Sequence, residues 1–332
     1  MENYLIENGR PLISIVTPCY NEEGNVCELY YAVKEQFEKL GKYNYEHIYI
    51  DNCSTDGTPA ILEELAAKDK NVKVIFNSRN FGHIRSPYYA LLQANGDAVI
   101  QMASDFQDPP EMIGDFIAKW EEGYKVVVGV KPKSKESPIM FLIRKMYYSF
   151  VRKLSEVELI DNFTGFGLYD KKIINILRDI KDPYPYLRGL ICEIGFERAV
   201  IEFEQPRRKR GITKNNFFTL YDIAVLGITS YSKVPLRLAT IMGFLISIIS
   251  LLVAVAYFVV KLIWWSKFSL GLAPLVIGLF FFSSVQLFFI GVMGEYIGNI
   301  FTRVSNRPIV IEKNRLNFNK PNEKLDNKVS VK

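Results

Sequence analysis

Two stretches of this sequence carry no charge over a length that few environments accept. Residues 238–260 read LATIMGFLISIISLLVAVAYFVV, and residues 270–294 are equally free of Asp, Glu, Lys and Arg. Each exceeds the roughly 20 residues needed to cross a hydrocarbon core about 30 Å thick, whereas buried helices of soluble proteins rarely stay uncharged beyond about 14. Both are therefore expected to span a bilayer. The opening segment, MENYLIENGRP, is polar and lacks the apolar region of a cleaved leader. Arg207, Arg208, Lys209, Arg210, Lys214, Lys233 and Arg237 precede the first run, and Arg303, Arg307, Lys313 and Arg315 follow the second. Only Lys261 and Lys267 lie between them, beside the interfacial residues Trp264 and Trp265. This asymmetry predicts a plasma-membrane protein with both termini in the cytoplasm and a short external loop. Glu295 and Arg303, close to the expected interface, are read as snorkelling or packing residues.

The rest of the chain has a different character. Over 332 residues, 41 Lys and Arg against 36 Asp and Glu leave a net charge of +5, and 49% of residues are hydrophobic. Disorder needs low hydrophobicity and high net charge, so it is excluded as the overall state. Short β-rich runs at 12–17, 47–50, 72–76, 98–102 and 125–130 alternate with helical patterns at 25–40, 58–68, 83–94 and 109–121. Such alternation predicts βαβ units: an α/β domain with a mainly parallel sheet covered on both faces. Cys19, Cys27, Cys53 and Cys192 form no CxxC pair, so neither a disulfide framework nor a zinc site is expected.

In open sheets of this kind ligands bind beyond the carboxyl ends of the strands. There the sequence reads PCYNE, DNCSTDGT, NSRNFG and ASDFQDPPE. No GxGxxG follows the first strand and no GxxxxGK[ST] occurs, so phosphates are not cradled by a glycine-rich loop. The rim offers carboxylates instead: Glu22, Glu23, Asp51, Asp56, Asp105 and Asp108. Acidic groups facing an anionic nucleotide call for a divalent cation between them, and oxygen donors select Mg²⁺ or Mn²⁺.

PCYNEE, DNCSTDGT and ASDFQDPPE resemble, in order, the PxYNE, DDGSxDGT and DxDLQDPPE blocks of inverting family 2 glycosyltransferases. More narrowly the chain resembles the polyisoprenyl-phosphate glycosyltransferases, the group of dolichol-phosphate mannose synthase and bacterial undecaprenyl-phosphate glucosyltransferases. NFTGFGLYD, YLRGL, EIGF, RRKRGITK and SKVPLR extend the likeness over about residues 10–300. It implies a GT-A, Rossmann-like nucleotide-diphospho-sugar transferase domain at 11–205, behind an N-terminal tail (1–10). Basic juxtamembrane helices (206–237), a transmembrane hairpin (238–300) and a cytoplasmic basic tail (301–332) follow. The implied activity moves one sugar, glucose-type, from a nucleotide sugar, with UDP favoured, to polyisoprenyl phosphate. No nucleic-acid partner is expected.

The resemblance also implies roles. Pro18, Tyr20, Glu22, Asp51, Asp56, Arg79 and Gly82 would line the nucleotide site, with Asp51 accepting hydrogen bonds from a uracil-type base or ribose. Asn52 stands where the family has a second Asp, and Ala103 where it has an earlier one. Asp105, with Gln107 as a neutral donor, would hold the metal. Asp105, Asp108 and Arg208 would be catalytic, although Asp108-Pro109-Pro110-Glu111 also reads as a capping box. Lys131, Arg144, Thr213 and Lys214 would hold the acceptor phosphate; Arg144 lies on an apolar-periodic stretch, 139–154, suited to a membrane surface. His83 reads as a helix-start residue, since a lipid phosphate of about −1.5 to −2 charge needs no general base. The segment RPIVIE is expected to form an edge strand, open to a neighbouring subunit, with disorder beyond it. Gly243, Gly278 and Gly291 would permit homo-oligomeric association.

Other functions fit less well. A processive polysaccharide synthase resembling the family known for it would carry QxxRW, but the tryptophans are Trp120, Trp264 and Trp265. A non-catalytic scaffold is conceivable from Ala103 alone, and a transporter would need polar or broken segments in its spans.

Overall fold

The computed structural model describes residues 9–131, 160, 162–206, 232–264, 272–305 and 307–318. It comprises two compact units, an α/β body and a helical unit.

In the body, strands β1 (Leu12–Cys19), β2 (Asn44–Asp51), β3 (Val72–Asn77), β4 (Ala98–Gln101) and β5 (Val126–Val130) alternate with helices α1 (Val26–Leu40), α2 (Thr58–Lys68), α3 (Gly82–Gln93) and α4 (Ile113–Glu121). Then come β6 (Phe163–Asp170), α5 (Lys171–Ile180), α6 (Leu187–Ile194), β7 (Arg198–Glu202) and, near the C-terminus, β8 (Glu312–Leu316). The eight strands form one sheet in the order β7-β5-β6-β4-β1-β2-β3-β8. β1 to β5 and β7 run one way; β6 and β8 are antiparallel to their neighbours. The expected mixed, mainly parallel sheet is thus observed.

Burial explains why these segments are strands. Ile13, Ile15 and Val16 of β1 and Ile48 and Ile50 of β2 are fully buried, as expected of central parallel strands covered on both faces. On one face Leu29, Val33, Phe116, Phe166 and Phe203 pack with Ile15 and Ile100. On the other Tyr88, Leu91, Tyr169, Leu177 and Leu190 pack with Ile50 and Val99. At the β2–β3 end, Leu62 and Leu65 of α2 cover Tyr49 and Val74.

Two expectations need correction here. The helix expected from 109 begins instead with a 3-10 turn, Pro110–Met112, before α4. The tail strand lies beyond RPIVI and pairs with this chain's own β3, not a neighbour's edge. Asn317 fastens its end through Nδ2 to the carbonyls of Ala66 (2.6 Å) and Val72 (2.8 Å).

The second unit holds α7 (Val234–Ile263) and α8 (Leu272–Val304). Both contain spans long and apolar enough to cross a membrane, 27 and 28 residues with mean hydropathies of 2.6 and 1.9. Phe244, Phe258, Phe280, Leu287 and Phe288 are all at least 66% exposed. Water would not tolerate so continuous an apolar surface; it is membrane-associated. α7 starts four residues before the uncharged run, and α8 continues to Val304, so Glu295 and Arg303 belong to its last turns. The Tyr296 hydroxyl donates to the Ser232 carbonyl (2.6 Å), within this unit.

Candidate active site

Because six strands point one way, the loops at 20–25, 52–57, 78–81 and 102–109, with Lys131, share one edge of the sheet. Parallel register sets Cys19 beside Asp51 and Pro18 beside Ile50, so PCYNE adjoins the second acidic block.

These two loops are stitched by hydrogen bonds. Asn21 takes a left-handed conformation (φ 56°); its N–H donates to Ser54 Oγ, and its Oδ1 accepts from the Thr55 N–H, both at 2.8 Å. The Glu22 N–H donates to Thr58 Oγ1 (2.8 Å), and its carboxylate accepts from Asn25 Nδ2 (2.6 Å). Both Asp56 oxygens serve amides: Oδ1 accepts from the Thr58 N–H (3.0 Å) and Oδ2 from the Glu23 N–H (3.3 Å). Partial burial works to raise the Asp56 pKa, but the bonds from Thr58 and Glu23 hold it below the ordinary value. Asp56 thereby starts α2 and fixes the rim.

Asp51 is different. It is 2% exposed; Oδ2 accepts from the Ser54 N–H (3.1 Å), while Oδ1 is buried with no partner among the described residues. Burial raises its pKa against the opposing bonds from Ser54. An unpaired buried acceptor costs about 1–3 kcal/mol, so this oxygen can take a donor from beyond the described residues. Gln101 Oε1, at the end of β4, is a second such acceptor.

Asn52 turns the other way. Its Nδ2 donates to Asn80 Oδ1 (2.9 Å) and the Gly82 carbonyl (3.2 Å); its Oδ1 accepts from Asn77 Nδ2 (3.0 Å) and the Phe81 N–H (2.9 Å). It holds the 78–82 loop, which carries Arg79 and Gly82, onto the rim. A carboxylate there would lack both donors. The asparagine lattice was not read from the sequence; its signal was an Asn at or just past the end of both β2 and β3. Gly82 begins α3 with φ 84°, and His83 stands in the first helical turn. Desolvation by its neighbours, then the Arg188 charge, lower the His83 pKa.

After β4 the chain folds into a tight turn. Asp105 is 4% and Asp108 7% exposed. Asp105 Oδ1 accepts from the Gln107 N–H (3.1 Å), Asp108 Oδ2 accepts from the Ala103 N–H (2.8 Å), and Phe106 between them is left-handed (φ 60°). The capping-box reading of Asp108 fails: Pro109 occupies the cap position without a side-chain cap bond, and the carboxylate closes the turn instead. Burial pushes the Asp108 pKa up to about 6, opposed by the Ala103 amide and the Lys131 charge and supported by Asp105. Lys131 is therefore electrostatically part of this turn. Arg144, Arg208, Thr213 and Lys214 lie outside the described residues, as does 139–154.

Among the described residues no three His, Cys, Asp or Glu side chains converge as a closed metal cage. One carboxylate and one amide, from Asp105 and Gln107, fit a cation that takes its remaining oxygens from phosphates and water, as Mg²⁺ commonly does. All four cysteines are free thiols.

Comparison with known proteins accords with this geometry. The profile described as glycosyl transferase family 2 matches residues 14–177. A putative glycosyltransferase of Bacillus subtilis, CsbB, is 33% identical over 95% of this chain and 94% of its own. The SfII prophage-derived bactoprenol glucosyl transferase of Shigella flexneri is 32% identical over 91% of this chain and 97% of its own. The crystal structure of S. aureus TarS 1-349 with UDP-GlcNAc is 20% identical over 66% of this chain and 67% of that one, with a TM-score of 0.42. With relatives of that identity matched along nearly their whole length, this chain belongs to glycosyl transferase family 2, as a glycosyltransferase bearing two membrane-length apolar helices.

Proposed function

We propose that the protein transfers one sugar, glucose-type, from a nucleotide sugar, with UDP favoured, to a polyisoprenyl phosphate, with inversion at the anomeric carbon. The observation that carries this reading is the extent of the match to the bactoprenol glucosyl transferase. Its 302 aligned residues take in 91% of this chain and 97% of that relative. Bactoprenol is a polyisoprenoid alcohol, and an acceptor of that kind suits a soluble-type body tethered to membrane-length helices. The domain division given above is part of the proposal. The basic flanks favour a body and termini on the cytoplasmic side, and small residues in the spans favour self-association.

Asp51 supplies the acceptor for base or ribose, beside Pro18, Tyr20 and Glu22. Asp105 and Gln107 would hold Mg²⁺ or Mn²⁺, which when bound neutralises charge on the diphosphate leaving group. Asp108 is a positioning residue here: it closes the turn that presents Asp105. Lys131, with Arg144, Arg208, Thr213 and Lys214, would orient the acceptor phosphate. One acceptor oxygen forms a bond to the anomeric carbon as its bond to the diphosphate breaks, and the nucleoside diphosphate departs. The acceptor phosphate is already anionic at neutral pH, so positioning and electrostatics lower the barrier.

Purified protein incubated with Mn²⁺, undecaprenyl phosphate and labelled UDP-glucose should yield a chloroform-soluble labelled product. Absence of such product with every nucleotide sugar tried would overturn the proposal.

A further inference from the structure

At the β3 edge of the rim three arginines stand together, and no carboxylate among the described residues pairs with any of them. Arg79 lies over the Phe81 ring, its Cζ 4.0 Å from the centroid, and Arg85 approaches the same ring at 5.6 Å. Phe81 is itself buried and anchored through its N–H to Asn52, so the platform is fixed. Arg85 donates from Nη2 to the Pro308 carbonyl (2.8 Å), which brings in the tail and Arg307. The tail is held there by the Ser78 N–H, which donates to the Ile311 carbonyl (2.9 Å), and by buried Val310. Among the described residues Arg79 hydrogen-bonds only the Asn80 carbonyl (3.1 Å). The Nε of Arg85 is buried and has no acceptor among the described residues. Nearby Glu312 is committed to Arg315 and Tyr89.

Guanidinium groups rarely crowd without an acid, because each repels the next. Burial, then the charges of Arg79 and Arg307, push the Arg85 pKa down; Tyr184 opposes them. An uncompensated cluster on a rigid aromatic platform, with one N–H buried and unsatisfied, is prepared for an anion with several acceptor oxygens. Planar guanidinium forks match phosphate in two-point bonds, and the ring favours the flat cation. Strand order separates this place from the Asp105 turn: β2 and β1 lie between β3 and β4, three strand spacings or roughly 14 Å.

We infer that Arg85 and Arg307, with Arg79 of the nucleotide-site loop beside them, form a phosphate-binding site distinct from the position of the donor diphosphate, taking a phosphate ester or free phosphate from solution or from a lipid headgroup. Its separation from the donor diphosphate rests on the cation proposed at Asp105 and Gln107; phosphate binding itself does not.

The test uses the full chain in detergent, with its thermal midpoint followed against inorganic phosphate. A parallel arm uses nanodiscs of phosphatidylcholine alone or with phosphatidylglycerol. In the wild type a saturable rise in midpoint is expected, unchanged by saturating UDP. Arg85→Gln and Arg307→Gln should each need at least tenfold more phosphate, while Lys313→Gln, on the same tail, should match the wild type. A response to phosphate in detergent, with wild type and variants alike in both kinds of disc, assigns a soluble source. If only phosphatidylglycerol discs separate wild type from the variants, the source is a headgroup. Identical behaviour of wild type, Arg85→Gln and Arg307→Gln in both media overturns the inference, as does loss of the phosphate response with UDP. Should Arg85→Gln fail to fold, Arg307→Gln decides, since no hydrogen bond among the described residues depends on its side chain.

Discussion

Asp108 Oδ2 accepts the backbone N–H of Ala103 at 2.8 Å, so the turn that presents Asp105 is closed by a side chain five residues along. The bond lies at a buried site, and Asp108→Ala would leave the Ala103 amide unsatisfied at a cost of about 1–3 kcal/mol. Asp108→Asn keeps an acceptor and should lose less. Thermal unfolding of the two variants checks the order, and transfer assays should show Asp108→Ala the more impaired. Equal stability of Asp108→Ala and wild type would contradict the role.

Restoring the family's acidic residue at position 52 should harm this protein. Asn52 gives two hydrogen bonds, to Asn80 Oδ1 and the Gly82 carbonyl, that an ionised Asp cannot make. Two acceptors would then face a carboxylate. Asn52→Asp is expected to lower stability by roughly 2 kcal/mol or more and to loosen the 78–82 loop. Thermal unfolding measures the first effect, and faster proteolytic cleavage of that loop the second.

The sequence made the parallel core readable because fully buried, β-branched runs are broken by polar rim loops at regular spacing. β1 was expected at 12–17 and found at Leu12–Cys19; β3 was expected at 72–76 and found at Val72–Asn77. β6 was not read as a strand, since Gly165 and Gly167 interrupt FTGFGLYD. Gly167 is demanded by packing, as a Cβ there would sit 2.4 Å from the Val127 carbonyl oxygen. β8, EKNRL, has almost no apolar pattern because it is an edge strand whose partner lies far back in the sequence. The carboxylates of the rim were legible as types in place. Their division of labour was not: Asp51 with an oxygen unpaired among the described residues, Asp56 consumed by amides and Asp108 closing a turn depend on partners that only folding supplies.

His47 should make the fold sensitive to acid. It is fully buried; Nε2 lies 3.0 Å from Thr17 Oγ1, the ring stacks on Tyr49 at 4.0 Å, and Nδ1 has no partner among the described residues. Burial lowers its pKa to about 3, against an ordinary value of 6.5. Between those values the unfolded chain takes up a proton that the folded one refuses. His47 therefore favours folding fully above about pH 6.5, and stability falls with pH below it, by up to about 1.4 kcal/mol per unit. Asp108 acts with opposite sign, since its raised pKa lets the folded state gain as pH falls through about 6. Comparing thermal midpoints of wild type and His47→Gln from pH 7 to 5 isolates the histidine. The variant should show the smaller loss on acidification; parallel curves would contradict this assignment.

In the proposed reaction the carboxylate at 105 serves a divalent cation during sugar transfer. The direct measurement is initial rate of labelled glycolipid formation against Mn²⁺ concentration, for wild type and Asp105→Asn, before and after chelation. The account predicts a rate that chelation abolishes and Mn²⁺ restores, and that Asp105→Asn lowers by on the order of 100-fold or more, about 2.7 kcal/mol. Full activity in chelator, or an Asp105→Asn enzyme as fast as wild type at every Mn²⁺ concentration, would contradict it.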